Sequence, residues 1–144
     1  STGLSSLDGI EAASQLTLLH AMDNEFTFFP EEIFQLENLQ VLFLSSNNLG
    51  PELPSGLQAL SNLVFFACSD CGLSGGIPEW IGEFPELEYL NFNHNGFTGE
   101  IPSAFSRLTN LKHLDLSEQQ VNGAPGLNGP LPDFAGLGQL SELY

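Results

Sequence analysis

Apolar residues recur along this chain in one fixed frame. Three successive blocks of 24 residues share it: "LQVLFLSSNNLGPELPSGLQALSN" (39–62), "LVFFACSDCGLSGGIPEWIGEFPE" (63–86) and "LEYLNFNHNGFTGEIPSAFSRLTN" (87–110). Their common pattern is L-x-x-L-x-L-x-x-N-x-L-x-G-x-I-P-x-x-L-x-x-L-x-N, with Phe, Cys or Ala replacing some leucines. A 23-residue block precedes them (16–38), keeping Leu16, Leu19, Asn24, Phe26 and Pro30. A longer block starts at Leu111, with "LNGPLP" (127–132) displaced by an insertion around "NGAPG" (122–126), and the frame restarts at Leu140.

The spacing within a block predicts its shape. Alternation at Leu42 and Leu44 and their equivalents has period two, so each block carries a short strand with those side chains pointing inward. The chain must then bend at Asn24, Asn47 or Asn95, where an inward amide can bond the backbone groups that the bend leaves unpaired. Pro30, Pro54, Pro78 and Pro102 open short segments expected to be helical, since proline suits a first helical position and Glu31, Glu32 and Glu79 suit a helix amino end. Apolar pairs such as Ile81 with Phe84 or Phe105 with Leu108 close the back of the coil. No single coil buries its apolar side alone, so the coils must stack. The prediction is an α/β fold: a right-handed β/α solenoid of about five turns of 23–24 residues with a parallel sheet on its concave face. Residues 1–15 would form a partial amino-terminal cap through Leu4, Leu7, Ile10 and Ala13. Residues 16–144 would form the solenoid as one domain (16–38, 39–62, 63–86, 87–110, 111–139 and a partial coil at 140–144).

The repeat resembles the leucine-rich repeat family. "GLSGGIPEWI" and "GFTGEIPSAF" resemble its plant-type subclass, marked by L-x-G-x-I-P, and the opening "LSSLDGIEAASQLTLL" resembles the start of leucine-rich domains in secreted bacterial adhesin-like proteins. The resemblance covers nearly the whole chain. It implies an extracellular or cell-surface recognition role, because relatives are mostly receptors, adhesins and inhibitors of secreted enzymes; it does not name a ligand.

If the strand leucines point inward, the alternate residues form outward columns. The first reads Leu18, Val41, Phe65, Tyr89, His113; the second His20, Phe43, Ala67, Asn91, Asp115; the third Met22, Ser45, Ser69, Asn93, Ser117. A solvated sheet face is normally polar, yet the first column and the start of the second are apolar. Such a patch marks an interface. The candidate ligand-binding residues are therefore Leu18, Val41, Phe43, Val64, Phe65, Tyr89, Asn91, His113 and Asp115, offered to a protein, peptide or glycan. The alternative is a structural repeat segment of an extracellular assembly, self-associating end to end, because "LSELY" stops early in a strand. Trp80 and Phe134 are expected on the convex side, and the insertion at 122–127 as a protruding loop.

Charge narrows the partners. Eighteen acidic residues face two basic ones, Arg107 and Lys112, for a net charge of -16. Phosphate backbones and anionic membranes need clustered cations, so nucleic acid and membrane insertion are not expected. Self-repulsion of this kind weakens with salt, suiting a saline, extracellular setting. No charged leader or long apolar run is visible, so the sequence reads as a mature chain or a cut piece. No asparagine begins an Asn-x-Ser/Thr sequon. No cofactor and no metal site are expected: Glu79, Glu83, Glu86 and Glu88 lack calcium-ligand spacing. Cys68 and Cys71 have a Cys-x-x-Cys spacing, but the frame puts them at core positions equivalent to Leu44 and Asn47. Catalysis is not expected either. His113, Asp115 and Ser117 share a face of one strand without an oxyanion donor or a water-excluding pocket.

Overall fold

The computed structural model describes residues 3–120, 123 and 125–144. Six strands build one all-parallel sheet in sequence order: β1 (Leu18–His20), β2 (Val41–Phe43), β3 (Phe65–Ala67), β5 (Tyr89–Asn91), β8 (His113–Asp115) and β10 (Glu142–Leu143). The register pairs Leu18 with Val41, Val41 with Phe65, Phe65 with Tyr89 and Tyr89 with His113, one coil to the next. The inward residues Leu42, Leu44, Phe66, Cys68, Leu90, Phe92 and Leu114 are buried, so the alternation read from the sequence sets the faces correctly. Two minor parallel pairs follow the bend, β4 (Ser74–Gly75) with β6 (Gly96–Phe97) and β7 (Gly99–Glu100) with β9 (Leu127–Asn128).

The convex segments are single five-residue 3-10 turns: Glu31–Gln35, Ser55–Ala59, Glu79–Glu83 and Ser103–Arg107. Each proline stands one position earlier than expected. Pro30, Pro54, Pro78 and Pro102 are the extended residues before the turn, and their carbonyls accept its first hydrogen bond, as from Ile33 N to Pro30 O at 3.2 Å. A residue without an amide proton loses nothing there. Glycine sets the closest approach between coils. A Cβ on Gly82 would lie 2.3 Å from the carbonyl oxygen of Ala104, so any side chain would push the two turns apart. Trp80 is half-buried on this side, edge-on to Phe84 with ring centroids 6.2 Å apart; Phe134 is also half-buried against the core.

At the first coil, Leu7, Ile10 and Leu16 pack against the core. Leu4 and Ala13 do not; both are exposed. The main chain at Leu4 is held instead, its N–H donating to Asn24 Oδ1 at 2.9 Å and its carbonyl accepting from Glu25 N at 2.9 Å. Of the insertion expected as a protruding loop, residues 121, 122 and 124 lie outside the described residues.

The bend after each strand carries the polar core. Asn95 donates through Nδ2 to the carbonyls of Cys68 (2.8 Å) and Phe92 (2.9 Å), and its Oδ1 accepts from Cys71 N and Leu73 N, both at 3.1 Å. Asn47 does the same for Ala21, Leu44 and Phe26. Gln119 takes this role in the next coil, donating to Phe92 O and accepting from Phe97 N. The residue before each corner, Asp23, Ser46, Asp70, His94 and Glu118, has φ between 52° and 57°, the left-handed conformation that tightens the bend.

Candidate functional site

Parallel strands put like positions side by side about 4.8 Å apart, so the first outward column becomes a continuous strip. Leu18 is 53% exposed and Phe65 36%, while Val41, Tyr89 and His113 are half-buried. The rings contact one another in sequence. Phe65 and Tyr89 stack with centroids 5.5 Å apart, and Tyr89 and His113 lie nearly parallel at 4.2 Å. His113 then meets Tyr144 at 5.7 Å, a residue that alternation in a barely begun strand does not flag. In the second column, Phe43 is half-buried and packs against His20 at 5.6 Å. Val64 is half-buried just before β3; its carbonyl accepts from the N–H groups of Glu88 and Tyr89.

The polar side of the same face is already engaged with itself. Asp115, expected to face solvent, is only 8% exposed. Its carboxylate accepts from Asn93 Nδ2 at 2.9 Å, from Ser117 N at 3.0 Å and from Ser117 Oγ at 2.6 Å, so the neighbours close over it. Asn91 donates to Tyr89 Oη at 3.4 Å and accepts from Asn93 N at 2.9 Å. Ser69 Oγ donates to Ser45 Oγ at 2.8 Å, and Ser45 is buried. Ala67 is buried too.

The His113–Asp115–Ser117 trio does not form a relay. The imidazole Nδ1 faces the carboxylate of Glu142, and its ring is stacked on Tyr89 rather than aimed at Asp115. Among the described residues, no three His, Cys, Asp or Glu side chains converge as a metal site would require. Glu79 accepts from Ala104 N, and Glu88 pairs with Lys112 at 2.7 Å. Cys68 and Cys71 are both buried and free. Burial pushes the Cys68 thiol well above the usual 9.0, with the Cys71 hydrogen bond and charge acting in the same direction. A buried neutral thiol is neither a ready nucleophile nor a ready ligand.

A coil repeat, an all-parallel sheet and inward corner amides are now joined by an independent match. The leucine-rich repeat region family matches residues 1–143. The chain belongs to the leucine-rich repeat family. Its repeats are of the plant type. The receptor-like kinase TMK2 of Arabidopsis thaliana is 37% identical over 75 residues, which is 51% of this leucine-rich repeat chain and 8% of the kinase. The crystal structure of a TDR receptor has a TM-score of 0.82 at 36% identity, over 92% of this chain and 23% of that one. The Arabidopsis receptor kinase HAESA, solved with the peptide hormone IDA and the co-receptor SERK1, has a TM-score of 0.65 at 33% identity, over 75% of this chain and 18% of that one. The chain thus spans less than a quarter of the length of each of these relatives.

Proposed function

We propose that this leucine-rich repeat chain is a non-enzymatic recognition module, displayed outside the cell, that binds an extended peptide or protein segment along the first column of its concave sheet. The carrying observation is the row of rings Phe65, Tyr89 and His113, continued on one side by Val41 and Leu18; Glu142 takes the column's next place, and Tyr144 reaches His113 from the second column. The rings brace one another, so little side-chain freedom remains to be lost on binding, which favours affinity. Tyr89 lies between Phe65 and His113, so both faces of its ring are occupied; aromatic edges carry the positive end of the quadrupole and suit peptide carbonyls and inserted apolar side chains. A sugar, which would need a free ring face, fits this strip less well than a peptide does. HAESA, bound to a peptide hormone, lends support from outside.

Panning phage-displayed random dodecapeptides on the immobilised chain tests the reading. Peptides rich in apolar residues should be enriched. Phe65→Ala and Tyr89→Ala should each weaken retained clones by tenfold or more, about 1.4 kcal/mol. Both variants should keep nearly the parent melting temperature, because neither side chain is fully buried. Clones that bind both variants as tightly as the parent would defeat the proposal.

A further inference from the structure

Beside the concave sheet, along the left-handed corners, runs a groove of about 910 Å³, within the range of roughly 300–1,000 Å³ typical of small-molecule sites. It exists because the chain omits a side chain where it bends. Gly72, at φ 72°, exposes bare backbone, and a Cβ there would lie 2.8 Å from Asn48 Oδ1. Ten polar side chains line the walls. Four of them, Asn24, Glu25, Asn47 and Asn95, are bonded to the protein's own main chain; the other six are Thr27, Ser46, Asn48, Asp70, Ser74 and His94. Their condition differs from that of the polar residues on the concave face. Ser45, Ser69, Asn93, Asp115 and Ser117 satisfy one another. None of the six groove side chains makes a hydrogen bond within the described residues, although their main-chain groups do, as Ser46 N to Ser69 O and Asp70 N to Asn93 O.

From this contrast we infer that the groove is a second binding site, separate from the concave strip, and that its ligand is a neutral oligosaccharide. Hydroxyls, an amide, an imidazole and one carboxylate supply both donors and acceptors, matching sugar hydroxyls that also do both. The groove offers no open apolar pocket, since Phe26 and Leu73 in its floor are buried. A peptide would find no anchor there. Successive coils present these groups about every 4.8 Å, close to the length of one pyranose unit in an extended chain. The carboxylates of Asp70 and Glu25 on the groove and the overall charge of -16 reject an anionic sugar.

The test is titration of the full chain, followed by amide NMR shifts, with neutral tetrasaccharides of gluco, xylo, manno and galacto configuration. Trigalacturonate and a Gly-Ser-Asn-Gly-Ser peptide serve as contrasting probes. At least one neutral sugar should saturate and move the amides of Asn48, Asp70, Gly72 and His94. Asn48→Ala and Asp70→Asn should each weaken it fivefold or more, and Ser74→Phe should abolish it by filling the groove. Asn tolerates the left-handed corner, so Asp70→Asn remains informative if Ser74→Phe does not fold. Phe65→Ala should change nothing, which separates this site from the concave strip. Saturation by no neutral sugar, shifts confined to the concave strands, or binding of the peptide or trigalacturonate in the groove instead would overturn the inference.

Discussion

The corners at Asn95 and Cys71 hold the same place in adjacent coils and meet the same backbone demand by different means. Asn95 supplies both halves of the bargain, an amide that donates to Cys68 O and Phe92 O and an oxygen that accepts from Cys71 N and Leu73 N. Cys71 supplies only a thiol, 3.4 Å from Leu44 O and 3.6 Å from Ser69 O. The acceptor it lacks is replaced by its own main-chain carbonyl, which takes Leu49 N at 2.9 Å. A main-chain carbonyl can therefore stand in for one of the two bonds that the asparagine oxygen accepts.

Removing the amide outright should have the largest effect. Asn95→Ala orphans two buried donors, Cys71 N and Leu73 N, and one acceptor, Cys68 O, while Phe92 O keeps its bond from Gln119 Nε2; each group left unmade costs about 1–3 kcal/mol. After partial relaxation, a loss of about 4 kcal/mol is expected in urea denaturation. Asn95→Cys sharpens the comparison: if main-chain carbonyls can substitute as they do at Cys71, the loss should shrink to about 2 kcal/mol. Equal losses in the two variants would show that the thiol corner is not transferable.

Alkaline titration comes next. The folded chain holds the Cys68 proton above the usual 9.0, while the unfolded chain releases it near about 8.5. The raised value therefore contributes stability that is complete below the unfolded thiol's value and is lost as pH climbs toward the folded one. The urea midpoint should decline above about pH 8.5 in the parent and more shallowly in Cys68→Ala. Both thiols should resist alkylation until the chain unfolds; rapid native labelling would contradict their burial. Cys71→Asn should have the smallest effect, within about 0.5 kcal/mol, because Leu49 N already has a partner. A gain well beyond that would mean the carbonyl substitution is strained.

Much of the architecture was legible because a coil has few degrees of freedom. Leu42, Phe66 and Leu90 recur at one phase, and that phase decides which way every strand faces. The Cys-x-x-Cys spacing was resolved for the same reason, by position rather than by chemistry. Gln119 was harder to anticipate: it is one methylene longer than asparagine and sits just before the insertion, where the frame slips. Asp115 alternates as a surface residue should, but Asn93 and Ser117 fold onto it, and alternation does not report what neighbouring columns do. The groove was not legible at all. Its shape comes from a missing side chain at Gly72 and from backbone handedness at Ser46, Asp70 and His94, and neither leaves a hydrophobic signature. The spacing signal was present nonetheless, in a residue immediately before each corner amide.

Those left-handed residues have a consequence for engineering. None of the five is glycine, and each holds a conformation that costs an ordinary side chain on the order of 1 kcal/mol. Together they are a reserve that Gly or Asn substitutions could release, making a tougher scaffold coil by coil. Three of the five also line the groove, so the gain at Ser46, Asp70 and His94 would come out of the surface that sets what is bound. Asp23 and Glu118 are where hardening can begin without touching it.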